Sequence, residues 1–346
     1  MKKKIVSALM AALMVLSLAA CGGNGGPTST PGGAGSASEG NAGGSAQAVN
    51  LKFNFVKSST DPEYTWYDDY FNEISKVSGG SITYDLYPSE ALGPTADMLE
   101  AAAQGEPVVI DCDFSYLANY VPDWAAAMAP YLIQEPEQIE KLWKSDVGQE
   151  LCKELEKAGL HLIDVHYFGT RNLIANTPVT SRADIGKLKV RCAATAGWNE
   201  VVRVLGGNAT NTPWSETYQA LSSGVADAAE SPYALLYSAK LYEPCKYIIK
   251  TEHLVASTAI VMSQAVYKSL SPEGQKAIDQ VGSAYPAKAI ELAKGVEQEY
   301  VDKLLAEGVQ ILDIDKTEFI TAAQDTPKHF PEWTPGIYER IQEAIA

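Results

Sequence analysis

Leu51-Lys52-Phe53-Asn54-Phe55-Val56 alternates apolar and polar positions and reads as a strand. Trp66, Tyr67, Tyr70, Phe71, Ile74 and Val77 then recur at helical spacing, and Gly79-Gly80 ends that helix. Ile82-Thr83-Tyr84-Asp85-Leu86-Tyr87 is the next strand. A helix over Thr95–Gln104 follows, stopped by Gly105, and then the short apolar strand Val108-Val109-Ile110. Working outward, the stripe Ile139, Leu142, Trp143, Val147, Leu151 and Leu155 predicts a long helical stretch before a strand over Leu160–Phe168. The second half repeats the pattern. Strands are expected at Leu188–Cys192, Asn208–Thr212, Tyr247–Ile249, Val255–Met262 and Val309–Ile314. Helices are expected at Gly197–Leu205, at Ser215–Ser223 with Ser215 as N-cap, and at Ile337–Ile345. Pro272 opens a helical region to about Glu307, with a kink or restart at Pro286. This alternation argues for an α/β fold with helical layers around a mostly parallel sheet.

The start of the chain reads as export machinery. Lys2, Lys3 and Lys4 precede an apolar run from Ile5 to Leu18, so residues 1–20 form a signal peptide. Leu18-Ala19-Ala20-Cys21 resembles the lipobox of bacterial lipoproteins, which implies cleavage before Cys21 and lipid attached to it. The plainer alternative is an ordinary signal peptide with a chance cysteine. Residues 21–48 are dominated by Gly, Ala, Ser, Thr and Pro and cannot bury enough surface to offset their ordering entropy. They read as a disordered tether with an r.m.s. reach of roughly 30 Å. No later run reaches the roughly 18 apolar residues of a membrane span. The expectation is an exported protein, lipid-anchored at the outer face of the cytoplasmic membrane or in the periplasm.

The chain has 346 residues, which after leader and tether leaves enough for about two domains. Lys plus Arg number 27 against 43 Asp plus Glu, a net charge of −16, and removing the lysine-bearing leader takes it to about −19. So acidic a surface repels phosphate backbones and excludes nucleic acid as a partner, but it permits a locally positive anion site. Beyond Cys21 the cysteines are Cys112, Cys152, Cys192 and Cys245, and their spacing leaves open whether they form disulfides or remain buried thiols.

No catalytic signature emerges. None of the 4 histidines lies in a metalloprotease pattern, and His161 and His166 fall on opposite faces of one predicted strand. Nucleophile-elbow, P-loop and dinucleotide fingerprints are absent. Asp313-Ile314-Asp315 starts like a calcium loop, but Glu318 stands where that loop needs glycine. Neither a metal nor any cofactor is expected.

Residues 169–281 carry a more specific signal. In order they give Gly169-Thr170-Arg171-Asn172, Asp184-Ile185-Gly186-Lys187-Leu188-Lys189-Val190-Arg191 and Leu205-Gly206-Gly207-Asn208. Next come Thr212-Pro213-Trp214-Ser215-Glu216-Thr217-Tyr218-Gln219-Ala220-Leu221, Gly224-Val225-Ala226-Asp227, Glu230-Ser231-Pro232, Tyr242-Glu243 and Leu270-Ser271-Pro272-Glu273. This series resembles the solute receptors of tripartite ATP-independent periplasmic (TRAP) transporters, the DctP-like family, from about residue 50 to the C-terminus.

The resemblance implies a two-lobed, periplasmic-binding-protein-like fold with a ligand cleft between the lobes and a long helix crossing both. Lobe I is expected over residues 49–168 plus about 257–296, and lobe II over 169–256 plus about 297–346. It implies capture of a small organic acid and delivery to a membrane permease, with no catalysis. By motif, Arg191 matches the arginine that grips the ligand carboxylate, Arg171 matches one that lines the cleft, and Trp214 matches an aromatic that packs on the ligand. Glu230 and Ser231 occupy a turn whose family pattern presents an asparagine after the glutamate. Cys192-Ala193 departs from the family's R-x-P, and Asp61-Pro62 replaces its H-P turn, which weakens any reading of the ligand as a C4-dicarboxylate. A planar two-pronged guanidinium suits a desolvated carboxylate. Each assignment has a structural rival: Arg191 as a surface arginine, Arg171 as a salt bridge, Trp214 as core, and Ser231 as a turn cap. Trp198, Trp66 and Tyr67 read as core or cleft edge. The alternatives in function are the receptor of an ATP-driven importer, a secreted hydrolase and a structural envelope lipoprotein.

Overall fold

The computed structural model describes residues 48–346; the leader, most of the tether and Cys21 lie outside the described residues. Nine strands build one sheet: β1 (Val49–Asn54), β2 (Ile82–Tyr87), β3 (Val108–Asp113), β4 (Leu160–Ala175), β5 (Lys189–Cys192), β6 (Asn208–Asn211), β7 (Ala228–Ser231), β8 (Tyr247–Ser263) and β9 (Gln310–Leu312). Their order is β2-β1-β3-β8-β4-β7-β5-β6, with β9 added to β8. At one end β1 pairs in parallel with β2 and β3. At the other, β5 pairs in parallel with β6 and β7.

The expectation of a mostly parallel sheet needs correction at the centre. There β4 and β8 run antiparallel over their whole length, and their outer edges take β7 and β3, again antiparallel. The two long strands were legible only in pieces, because their pairing is broken. Register shifts fall between Leu162 and Asp164, between Tyr167 and Thr170, and between Arg171 and Leu173. At the middle break Gly169 has φ +127°, and a Cβ there would stand 2.6 Å from Cβ of Pro232. Only glycine fits such a backbone against such a neighbour. On β8 the break opposite Arg171–Leu173 contains Glu252, at φ 42°.

The aromatic stripe of the helix Pro62–Val77 folds as its spacing predicts. Asp61 caps it by accepting from the Glu63 N–H at 3.1 Å, and Pro62 begins it. Tyr67 and Phe71 pack on Phe53 of β1, with ring centroids 4.8 and 4.7 Å away. Pro286 restarts a helix, Pro286–Ala306, after Pro272–Ala284. That helix lies against β4 and touches both Pro62–Val77 and the helix Tyr233–Ser238, so it crosses from one end of the sheet to the other. No helix among the described residues is long and apolar enough to cross a membrane. Cys112, Cys152, Cys192 and Cys245 are all free thiols.

Candidate functional site

Where β3, the break in β4 and the end of β5 converge, a cleft holds about 520 Å³, including the part open to solvent. Arg171, Arg191, Trp214 and Glu230 all line it, so the structure brings together four of the five residues singled out by motif. Ser231 does not join them. It is fully buried on β7, and its hydroxyl has no hydrogen-bond partner among the described residues. Alternation explains the difference, since Glu230 and Ser231 point to opposite faces of one strand.

Arg191 is no surface arginine, being only 4% exposed. Its Nη2 donates to the Thr212 carbonyl at 2.6 Å and its Nε to the Thr212 hydroxyl at 3.3 Å, and the guanidinium lies 5.2 Å from the Trp214 ring. No carboxylate pairs with it among the described residues. Burial, with Arg171 adding to it, holds its pKa below the usual arginine range.

Arg171 is different. Its Nε and Nη2 grip the Glu230 carboxylate as a fork, the Nη2–Oε1 distance being 2.9 Å. His253 Nε2 lies 3.3 Å from the same carboxylate. Burial alone would raise the Glu230 pKa, but Arg171 and His253 outweigh it and hold the group ionised below its usual range. The salt-bridge rival thus describes Arg171 correctly, although its guanidinium, 4.6 Å from the Trp198 ring, still forms cleft wall. Glu230 spends its charge on Arg171 and has none to spare for a cation.

The opposite wall was missed in the sequence. Asp111 and Asp113 extend β3 beyond the apolar Val108–Ile110, and their spacing puts both on the face toward the cleft. The i, i+2 carboxylates at the end of an apolar strand were the available signal. Lys57, just past β1 and 1% exposed, pairs with Asp111 and reaches Glu63 at 3.2 Å and the Tyr67 hydroxyl at 2.9 Å. Burial opposes its charge, but Asp111 and Glu63 prevail and raise its pKa. Thr258 of β8 donates its hydroxyl to the other oxygen of Asp111. Burial pushes Glu63 up to about 7, against the pull of Lys57. Tyr67 is therefore core whose hydroxyl supports the cleft wall, Trp66 is core, and Trp198 lines the cleft.

Four contacts tie the first end of the sheet to the second around this cleft. Asp113 accepts from the Trp198 indole at 2.9 Å, and Ser115 and Thr195 hydroxyls meet at 3.0 Å. Asp61 accepts from the Ser238 hydroxyl at 3.0 Å. The fourth corrects the expected Ser215 N-cap. Trp214–Glu216 forms a 3-10 turn ahead of the helix Thr217–Ser222, and the Ser215 N–H donates to Glu90 at 2.9 Å.

Comparison with known proteins agrees with this architecture. The family model described as "Bacterial extracellular solute-binding protein, family 7" (DctP) matches residues 53–332. The sialic acid-binding periplasmic protein SiaP of Vibrio cholerae is 28% identical over 288 residues, covering 82% of this chain and 88% of that protein. The 2,3-diketo-L-gulonate-binding periplasmic protein YiaO of Escherichia coli is 27% identical over 285 residues, covering 80% and 85%. Among solved structures, a TRAP periplasmic solute-binding protein of Ochrobacterium anthropi with bound L-fuconate superposes with a TM-score of 0.83 at 29% identity, covering 86% of this chain and 100% of that one. Another, of Actinobacillus succinogenes with bound L-galactonate, gives 0.83 at 28%, covering 86% and 99%. With a mixed α/β fold shared across the whole body and the family pattern matched from Phe53 to Glu332, this chain belongs to the DctP family of bacterial extracellular solute-binding proteins.

Proposed function

We propose that this chain is an extracytoplasmic receptor that captures a small organic acid by its carboxylate and delivers it to the membrane permease of a TRAP transporter. The observation that carries the reading is Arg191, a buried guanidinium in a cleft with no carboxylate partner among the described residues. A charge desolvated in this way is costly unless an anion completes it. The relatives named above are binding proteins for acidic solutes, which supports the same assignment. Binding rather than catalysis fits the cleft. No histidine among the described residues lines it, the Thr258 hydroxyl is committed to Asp111, and burial pushes the Cys112 thiol well above the range of a reactive thiolate.

In this reading residues 49–168 with about 257–296, and residues 169–256 with about 297–346, act as two lobes that close over the ligand. The Glu90–Ser215 and Asp61–Ser238 bonds then belong to the closed form. Lipid on Cys21 would hold the receptor at the membrane through its tether. The test is a thermal-shift screen of organic acids beside their neutral amides and uncharged sugars. A ligand at 100 times its Kd adds about 2.7 kcal/mol, so a cognate acid should raise Tm by several degrees and its amide should not. A shift by uncharged solutes with none by acids would refute the reading.

A further inference from the structure

A second cavity lies beside the cleft, where the helix Pro286–Ala306 passes the break in β4. It holds about 370 Å³, including the part open to solvent, toward the lower end of the roughly 300–1,000 Å³ of small-molecule sites. Phe168 is the only described residue that lines both spaces, so its side chain stands between them. Tyr233, Leu292 and Val296 make the cavity's walls largely apolar. Among the described residues, the only charged side chains that line it are Glu63 and Glu297, and no base does.

Glu63 is 7% exposed. Its Oε2 lies 3.2 Å from Lys57 Nζ and accepts from the Tyr67 hydroxyl at 3.4 Å. Its Oε1 accepts no hydrogen bond among the described residues and is open to the cavity. The bases nearby are already taken. Lys57 pairs more closely with Asp111, and His166 Nδ1 with Asp164 at 2.7 Å. Asp61 and Glu63, two carboxylates of one turn, are left with no base of their own. Asp61 is satisfied by neutral donors, the Glu63 N–H and the Ser238 hydroxyl, but Glu63 is not. Asp61, Lys57, Tyr67, Asp111 and His166 are the titratable groups around it, with Tyr233 and Glu297 lining the same cavity. Burial pushes Glu63 up to about 7 against the pull of Lys57, and burial with the Glu252 charge raises Glu297, which stands exposed at the mouth.

We propose that this cavity is a second ligand site, separate from the cleft, for a small organic ammonium whose apolar body lies among Phe168, Tyr233, Leu292 and Val296 and whose charge rests against Glu63. A buried carboxylate short of a cation is completed by one. Aromatic walls accept an ammonium better than any anion. A metal ion is disfavoured, because calcium takes about six to eight oxygens and these walls offer two carboxylates in apolar surroundings. The site goes beyond the receptor function proposed above and does not depend on it.

The test is calorimetry with phenethylamine beside 2-phenylethanol and phenylacetate, on wild type, Glu63→Gln, Glu297→Gln and Ala293→Leu, the last of which narrows the cavity. Phenethylamine should bind one-to-one, with the alcohol and the acid at least about tenfold weaker. Glu63→Gln and Ala293→Leu should each weaken the amine by about tenfold or more, and Glu297→Gln, screened at the mouth, by about threefold. The ammonium needs Glu63 ionised, so its binding releases a proton. Amine affinity should therefore rise by about tenfold between roughly pH 6 and pH 8, a rise that Glu63→Gln abolishes. Alcohol or acid binding as tightly as the amine would overturn the proposal. So would amine affinity unmoved by Glu63→Gln or by Ala293→Leu, or no saturable amine binding below about 10 mM. If Ala293→Leu does not fold, Glu63→Gln and the pH profile decide. Failure here leaves the receptor function standing, since neither Glu63 nor Glu297 lines the cleft.

Discussion

Arg191→Ala is the perturbation with the largest expected effect on binding. A guanidinium has five N–H donors. Thr212 takes one through Nε and one through Nη2, so three remain for a carboxylate, enough for the two-pronged geometry that lysine lacks. At 4% exposure the group sits beyond effective solvent screening. Removing one partner of a buried, hydrogen-bonded charge pair costs about 2–5 kcal/mol. At about 1.4 kcal/mol per tenfold this is roughly 30-fold to several thousand-fold in Kd. Arg191→Lys should recover little of it. The same geometry predicts an opposite effect on the empty receptor. Burial disfavours the unpaired cation, so Arg191→Met, which keeps most of the volume, should stabilise the unliganded protein by about 1 kcal/mol, or roughly 2 °C in Tm for a chain of this size. Calorimetry and melting on the same folded samples measure both. Binding by Arg191→Ala within about threefold of wild type, a difference of about 0.7 kcal/mol, would show that the carboxylate is held elsewhere. A lower unliganded Tm for Arg191→Met would show that Arg191 serves the fold rather than a ligand.

Three further outcomes are expected. Glu230→Gln leaves Arg171 uncompensated beside Arg191, so chemical denaturation should show a loss of about 3–5 kcal/mol; a loss under 1 kcal/mol would mean that the Arg171–Glu230 pair is dispensable. Glu63, raised from 4.5 to about 7 by burial, binds its proton more tightly folded than unfolded. Its contribution to stability is therefore present at low pH and declines as pH rises from about 4.5 to 7, by on the order of 3 kcal/mol. Glu63→Gln should remove that decline, and identical pH profiles for mutant and wild type between pH 4.5 and 8 would contradict it. Cys21→Ser should release the protein from membranes without changing ligand affinity. Wild-type protein recovered wholly in the soluble fraction with an unmodified Cys21 would defeat the anchoring proposal.

Local pattern was enough for the elements whose signal is local. The aromatic stripe Trp66–Ile74, the alternation in Ile82–Tyr87, the restart at Pro286 and the final helix Ile337–Ile345 all follow from spacing, caps and proline chemistry, and all fold where those place them. The motif order at 169–281 likewise carried the family, because it records the turns and the two arginines that line the cleft. What remained hidden depends on contacts far apart in the chain. β4 and β8 look like three short strands until they pair across their breaks, one at Gly169 on β4 and another at Glu252 on β8, since a bulge interrupts the period without ending the strand. Nothing local distinguishes Arg171 from Arg191, both arginines on apolar strands. Only packing assigns a carboxylate, Glu230, to the first and none to the second. Lys57, Asp111 and Asp113 were likewise unremarkable polar residues in the sequence, because a charge acquires its partner only when distant segments meet in a common low-dielectric wall.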